Sequence, residues 1–232
     1  MRQVVLDTET TGLEVSLGHR IIEIGCVELI DRRVTGEHWH FYFNPQREVD
    51  VGAFEVHGIS DEFLADKPKF AELAEGFLTF VRGAELIIHN ASFDVGFLDY
   101  ELSLLESPPE PLAQHCEILD TLMLARQKHP GQKNNLDALC KRYGIDNSHR
   151  SLHGALLDAR ILGDVYLAMT GGQVSLGLDA VSGETQGDVQ LEVRRIESGQ
   201  PLPLWRPDAA SSAANQQYIE YLATQHENPA WK

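Results

Sequence analysis

Two acidic residues end an apolar run near the start of the chain. Residues 4–6 predict a buried strand, and residues 7–12 follow it with the sequence DTETTG. Because side chains alternate along a strand, Asp7 and Glu9 point to the same face, where their charges repel. A hard cation such as Mg²⁺ or Mn²⁺ removes that repulsion. The segment therefore indicates either a metal site or a turn rich in acids and hydroxyls, in which Gly12 permits a sharp turn and the close approach of another molecule.

The composition excludes some classes of function. The chain has 232 residues, 43% of them hydrophobic, and a formal net charge of −16, which suits one domain with a core and a tail. This acidity argues against a general binder of polyanions, which carries excess Lys and Arg. It does not argue against a nucleic-acid enzyme in which metal ions supply positive charge at the phosphate.

The cysteines and the apolar segments indicate the compartment. Cys26, Cys116 and Cys140 are far apart and form no CxxC pair, so they predict reduced core thiols in a cytosolic protein. We find no secretory signal pattern at the N-terminus and no apolar stretch long enough to span a bilayer. The expectation is a cytoplasmic protein without a membrane partner.

Hydrophobic patterns predict an α/β fold with a mixed five-stranded sheet flanked by helices. Strands at 2–7, 20–30 and 38–43 have short links, which favours an antiparallel meander. Later strands are expected to be parallel, because helices separate them. These later strands are predicted at 85–89 and 118–120, and helices at 69–82, 92–106, 121–128, 135–143 and 154–170.

The composition changes after Gly172, which predicts three regions. Residues 1–172 form the domain, and residues 173–215, rich in Gly, Ser, Gln, Pro and Ala, form a flexible linker with a short strand at 189–196. Residues 216–232 form a C-terminal segment with a helical pattern at 217–223.

Two further acids lie on apolar helix faces. Asp94 shares a stripe with Leu98 and Leu102, and Asp158 shares one with Leu162 and Val165. Each acid alone is explained by a helix N-terminus or an ion pair, although Asp158 is expected deeper in its helix. Because unpaired buried carboxylates are costly, four such acids together indicate one shared metal centre.

His153 precedes Asp158 by five residues, so the two cannot share one face of a regular helix. The sequence places His153 in the turn that enters the helix, from which it could reach the site as a general base. A capping or surface histidine is the alternative, because the chain has ten histidines.

Taken together, these residues resemble the DnaQ-like, or DEDDh, family of 3′–5′ exonucleases. The family pattern is matched by Asp7-x-Glu9, by Asp94 in HNASFD, and by His153-x(4)-Asp158 in HGALLD. The resemblance covers residues 2–172 and implies an RNase H-like fold. The words VHGI at 56–59, NLDALC at 135–140 and LAMTGG at 167–172 are similar to the family branch that proofreads for bacterial replicative polymerases.

The resemblance implies a site and a mechanism. Asp7, Glu9, Asp94 and Asp158 would hold two Mg²⁺ or Mn²⁺ ions, with His153 as the base. The 3′ end of DNA would contact Asp7, Glu9, Asp158 and the segment Thr10, Thr11, Gly12 and Leu13, with Leu13 as a wedge and His57 near the terminal nucleotide. Gly52 departs from the pattern, because this branch has a nucleotide-contacting glutamate there.

The resemblance also implies partners. The expected partners are the replicative polymerase alpha subunit through the C-terminal tail, the sliding clamp beta and the small theta subunit, with nucleoid association during replication. Gln173, Leu176 and Leu178 resemble a short clamp-binding motif, for which ordinary linker sequence is the alternative. A basic stretch at 126–150 either contacts DNA phosphates or is a solvated helix surface.

Two other functions remain open from the sequence. A free-standing DEDDh exoribonuclease would have the same core motifs but would not need the tail. A non-catalytic scaffold of the replicase would retain only the fold, and the intact set of four acids and His153 argues against it.

Overall fold

A computed structural model describes residues 1–148, 152–171 and 208–225. The strands are β1 (Arg2–Thr10), β2 (Ile21–Ile30), β3 (Arg33–Tyr42), β4 (Glu85–Ile88) and β5 (Glu117–Asp120). The helices are α1 (Val51–His57), α2 (Asp61–Leu64), α3 (Phe70–Val81), α4 (Ala91–Ser103), α5 (Thr121–Lys128), α6 (Leu136–Tyr143), α7 (Ala155–Thr170) and α8 (Ala209–Gln225). Short 3₁₀ turns occur at Val15–Leu17 and Leu112–Gln114.

The sheet has the predicted mixed topology. Its strand order is β3-β2-β1-β4-β5, with β1–β2 and β2–β3 antiparallel and β1–β4 and β4–β5 parallel. The three-strand meander followed by parallel strands is therefore confirmed.

Helices cover both faces of this sheet. Val4 and Leu6 of β1 pack in a cluster with residues of α3 and α4, whereas Val5 packs against residues of α7. This alternation follows from the two-residue period of a strand. By the same alternation, Asp7 and Glu9 project to the face of Val5, and Thr8 projects to the face of Leu6.

Several boundaries differ from the predictions: β1 continues to Thr10 rather than ending at 7, and α4 ends at Ser103 rather than at 106. β3 begins at Arg33 rather than at 38, because Asp31 and Arg32 adopt positive φ angles of 48° and 65° and form a tight hairpin turn. The helices α1 and α2 were not predicted. They have seven and four residues, which is too short for a periodic signal.

The three cysteines are buried and free, which agrees with the expectation of core thiols. Within the described ranges, no helix has the length and apolar character that crossing a membrane requires.

The chain divides into two compact units, Met1–Asp179 and Ala180–Lys232. In the second unit α8 begins at Ala209, so the last seven residues of the predicted linker are helical. The strand predicted at 189–196 and the segment 173–178 with Gln173, Leu176 and Leu178 lie outside the described residues.

Candidate active site

The predicted acids meet in one cleft of about 380 Å³ at the end of the sheet. The parallel neighbour β4 pairs only with residues 3–5 of β1, whereas β2 continues to pair with β1 up to Thr10. Asp7 and Glu9 therefore lie inside the strand but beyond the end of β4, where one side of β1 is uncovered. The cleft is lined by all five predicted catalytic residues, Asp7, Glu9, Asp94, His153 and Asp158.

The alternation of side chains along β1 lets this strand contact helices on both faces of the sheet. Asp7 and Glu9 share parity with Val5, which faces α7, the helix that carries Asp158. Thr8 has the opposite parity, and its hydroxyl donates a 2.7 Å hydrogen bond to Asp94 Oδ1 on α4. One strand segment thus reaches acids on helices from both layers.

Asp94 is the fourth residue of α4 and is buried. Burial raises the pKa of its carboxyl to about 7, and the hydrogen bond from Thr8 acts in the opposite direction. A cation beside this buried carboxyl group would stabilise its charged form, so the environment of Asp94 favours cation binding.

Asp158 is also the fourth residue of its helix, α7, and is buried. The expectation that it lies deeper in its helix than Asp94 is therefore wrong. Its position depends on Gly25, which pairs with Asp7 across β1 and β2. A Cβ at Gly25 would lie 2.2 Å from the backbone nitrogen of Leu156, so only glycine lets the start of α7 approach the strand.

His153 lies in the turn before α7, as predicted, because Gly154 is the N-cap. Its amide donates to the carbonyl of Val56 at 3.1 Å, which attaches this turn to the end of α1. Its ring Nδ1 is 3.6 Å from Asp158 Oδ2, and 46% of the side chain is exposed. The ring therefore enters the cleft from the solvent side.

The arrangement suits a divalent metal ion. Within the described part of the chain, ligand atoms of Glu9, His153 and Asp158 lie within 4.8 Å of one another. Carboxylate oxygens dominate the cleft, and they are the ligands that Mg²⁺ and Mn²⁺ prefer. The grouping includes His153, which the sequence predicted to be a base rather than a ligand.

A second cavity of about 450 Å³ adjoins the acidic cleft and shares Thr8, Glu9 and Phe93 with it. Besides Glu9, its lining contains four more of the predicted substrate contacts, Thr10, Gly12, Leu13 and His57, and also Gly52. Leu13 is 81% exposed where it lines this cavity.

One prediction for the DTETTG segment needs correction, and the structure adds a further reason for glycine at position 12. Thr11 is fully buried and lines neither cavity, and its amide donates to the Arg20 carbonyl at 2.9 Å, so it is not available to a substrate. Gly12 has no positive φ. Its Cβ would lie 2.3 Å from the His19 ring, so glycine there accommodates the chain's own His19.

The structure adds cleft residues that the sequence did not single out. His89, Asn90, Asn135 and Asp137 line the acidic cleft. Two of them stand in the HNASFD word that identified Asp94, and Asn135 begins the NLDALC word. These two segments were recognised as similar to the family, but the sequence did not show which of their residues would line the cleft.

The chain is similar to known nucleases in sequence and in fold. The family model described as "Exonuclease" matches residues 4–166. DNA polymerase III subunit epsilon of Escherichia coli is 59% identical over 189 residues, which are 80% of this chain and 77% of that protein. The subunit of the same name from Pasteurella multocida is 60% identical over 226 residues, with coverage of 95% and 89%.

Solved structures of exonucleases are similar to this chain in fold. A structure of exonuclease X in complex with 5′ overhanging duplex DNA has a TM-score of 0.53 and 28% identity, and covers 74% of this chain and 94% of that chain. E. coli exonuclease I in complex with a dT13 oligonucleotide has a TM-score of 0.62 at 21% identity, with coverage of 72% and 40%, which shows a shared fold. The chain therefore belongs to the exonuclease family, as a 3′–5′ exonuclease similar to the epsilon subunits of bacterial DNA polymerase III.

Proposed function

We propose that this protein removes nucleotides from the 3′ end of DNA and thereby proofreads for a bacterial replicative polymerase. The observation that carries the proposal is the convergence of Asp94 and Asp158, from two different helices, on the acids of β1 in one cleft. Relatives with 59–60% identity bear the name of a polymerase III subunit, which supports the assignment to replication.

Asp7, Glu9, Asp94 and Asp158 would hold two divalent ions, Mg²⁺ or Mn²⁺. When bound, such ions lower the pKa of water and stabilise the charge on the attacking and leaving oxygens. The raised pKa of the Asp94 carboxyl supports this role, because a cation compensates the burial that causes it.

His153 would act as the general base. Its ring lies at the cleft, with Nδ1 3.6 Å from Asp158 Oδ2, and would take the proton from the attacking water. The water oxygen bonds to phosphorus, the bond to the 3′ oxygen breaks, and that oxygen takes up a proton. The products are a 5′-mononucleotide and a strand with a new 3′ hydroxyl.

The second cavity would hold the terminal nucleotide. Leu13 stands at its rim and His57 lies in its lining, so a base separated from its neighbour would enter between them. Because unpairing a base costs free energy, a frayed or mismatched end would enter more readily than a paired end. This preference needs no contact that reads the sequence.

One cation beside the cleft would guide the strand. Arg126 on α5 makes no ion pair or hydrogen bond to the rest of the described chain and lines a cavity with His89, Asn90 and Asn135, which also line the acidic cleft. Arg142, from the same basic stretch, instead bonds to Asn134 Oδ1 and the Lys133 carbonyl. We therefore assign the phosphate contact to Arg126.

The partners would be the polymerase alpha subunit, the sliding clamp beta and the small theta subunit, in the bacterial cytoplasm at the nucleoid. Residues 1–172 would act as the nuclease domain, residues 173–215 as a linker with the clamp motif, and residues 216–232 as the polymerase-binding segment. On α8, Tyr218 and Tyr221 are exposed, which suits docking by aromatic anchors.

Hydrolysis of matched substrates tests the proposal. We expect the full chain with Mg²⁺ or Mn²⁺ to degrade a mispaired DNA primer from its 3′ end faster than a paired primer, and RNA of the same sequence more slowly. Asp158→Asn should remove nearly all activity. Asp164→Asn is a matched control, because Asp164 is an exposed acid on the same helix. Preference for RNA would instead support the exoribonuclease, and an inactive chain that binds the polymerase would support the scaffold.

A further inference from the structure

Glu23 is a buried acid that the proposed chemistry does not use. It lies on β2 with only 2% of its surface exposed, and its register partner on β1 is Glu9. Opposite residues of an antiparallel pair project to the same face, so Glu23 stands beside a proposed metal ligand. A carboxylate buried this deeply needs hydrogen-bond partners for both oxygens.

Only one oxygen of Glu23 has a hydrogen-bond partner within 3.5 Å in the described ranges. Oε1 lies 2.7 Å from Nε2 of His40 on β3, whereas Oε2 is buried without one. Tyr42, the register partner of Glu23 on β3, is also near. Burial, the charge of Glu23 and a hydrogen-bonding interaction between the two side chains raise the pKa of the Tyr42 hydroxyl to about 12, so Tyr42 is the competing partner for Glu23.

His57 offers the complementary group. The amide of Ile59 donates to His57 Nδ1 at 3.0 Å, and because an amide N–H can only donate, Nδ1 must carry a lone pair. The proton of the neutral ring is then on Nε2. This donor is buried and has no hydrogen-bond partner within 3.5 Å in the described part of the molecule.

Two observations place Glu23 and His57 close together. Burial lowers the pKa of His57, whereas a hydrogen-bonding interaction with the Thr10 backbone and then the charge of the Glu23 carboxylate act in the opposite direction, so both groups are neighbours of the ring. Ile22, next to Glu23, packs in one cluster with Ile59, which follows His57 by two residues. A buried acceptor and a buried donor, each without a partner within 3.5 Å, thus lie in the same region.

We propose that Glu23 is a positioning residue of the nuclease site, and that its Oε2 accepts the Nε2–H of His57, directly or through one water. The resulting chain of hydrogen bonds runs from His40 through Glu23 to His57. It fixes the His57 ring behind Glu9, in the wall of the cavity that would hold the terminal nucleotide. This inference rests on the proposed function of that cavity.

The same chain would also fix the proposed base. His57 is the last residue of α1, and the preceding carbonyl, that of Val56, accepts the amide of His153. The Leu152 side chain lies 2.7 Å from the position of a Cβ on Gly58, so the two segments are in contact. Loss of the Glu23 hydrogen bond would loosen the support on which His153 rests.

The test uses the full chain with Glu23→Gln. Gln keeps the size of the side chain but cannot accept from both histidines at once, because one end of its amide only donates. We expect kcat on a single-stranded DNA oligonucleotide to fall about 10–100-fold, as for other residues that orient a site. KM and the affinity for Mn²⁺ should change by less than about threefold.

Two variants serve as controls. Glu28→Gln removes another buried carboxylate of β2, one that bonds to Arg2 and Thr35, and should lower stability without changing kcat. Tyr42→Phe should leave kcat unchanged. If Tyr42→Phe reproduces the loss, the hydroxyl of Tyr42 completes Glu23 and the assignment to His57 is overturned.

The tautomer of His57 gives a readout that needs no active enzyme. ¹⁵N-edited NMR of the wild-type protein should show the proton on Nε2, and Glu23→Gln should shift the Nε2 resonance. A proton on Nδ1 in the wild type overturns the proposal, as does an unchanged kcat in Glu23→Gln or a fall in Mn²⁺ affinity parallel to kcat. Failure of the proposed function is distinct, because it would appear as full activity in Asp158→Asn.

Discussion

The ionisation of Asp94 links a single residue to stability. Its pKa rises from an ordinary 3.8 to about 7, so between these pH values the folded protein holds a proton that the unfolded chain has lost. The free energy of unfolding therefore falls as the pH rises through this window, by at most about 1.4 kcal/mol per unit, and the loss is complete above pH 7. We expect Asp94→Asn to abolish this fall in metal-free protein.

Urea unfolding in EDTA from pH 4.5 to 8 measures this effect. Added Mn²⁺ should then stabilise the wild type more than the variant, because binding to the folded state adds to stability. A difference between the two proteins that does not vary with pH would contradict the assignment.

His153→Ala tests the base at the same scale. Because the ring would accept the proton of the attacking water, the hydrolysis rate should fall by about 10²–10⁴-fold, with little change in Mn²⁺ affinity. His38→Ala, on the exposed part of β3, is the control. A parallel loss of Mn²⁺ affinity would make His153 a metal ligand, as its grouping with Glu9 and Asp158 permits.

The four acids could be predicted from the sequence because each breaks a local rule. An acid on an apolar stripe or strand is anomalous wherever the chain folds, so Asp94 and Asp158 are visible without coordinates. The actual role of Gly12 was not visible, because the ring that fills its space belongs to His19, and only the folded structure brings that ring there.

At the scale of elements, predictions succeeded where the pattern was long. α7 was predicted to within one residue, because its buried residues recur from Ala155 to Met169. The short helices α1 and α2 depend on local ends instead, such as Gly58 with φ of 71° and the Ser60 cap. They were missed, although α1 ends with His57 and supports His153.

Helix α5 carries a prediction about the DNA strand. Arg126→Ala should raise KM several-fold at constant kcat and reduce the salt dependence of binding by about one ion, because one phosphate contact is lost. Arg142→Ala should lower stability and leave the salt dependence unchanged, since Arg142 bonds to its own chain. Hydrolysis and binding measured from 50 to 200 mM salt compare the two. Equal salt slopes for Arg126→Ala and the wild type would assign Arg126 to the solvated surface.

For the whole molecule, the charge of −16 makes weak DNA binding the expected state of the isolated chain. Attachment to a polymerase and a clamp would raise the effective concentration of the primer end. Alanine at Gln173, Leu176 and Leu178 should therefore weaken clamp binding in a titration of the isolated protein. Hydrolysis of a free oligonucleotide should not change. Equal clamp affinity in both proteins would make this segment an ordinary linker.

Deletion of residues 200–232 tests whether hydrolysis and polymerase binding belong to different parts of the chain. The cut leaves the unit Met1–Asp179 whole, together with every residue of both cavities, so hydrolysis of single strands should be retained within about twofold. Co-purification with the polymerase alpha subunit should be lost, because the cut removes α8 and its exposed aromatic residues.

The double variant Tyr218→Ala with Tyr221→Ala, made in the full chain, tests whether these two side chains bind the polymerase or whether another part of the tail does. Both side chains are exposed on α8, so their removal should leave the helix content of the protein unchanged. Because aromatic residues contribute a large share of the energy of many interfaces, we expect the double variant to weaken polymerase binding at least tenfold, about 1.4 kcal/mol. Unchanged binding of both the double variant and the deletion would place the polymerase interface on the nuclease domain.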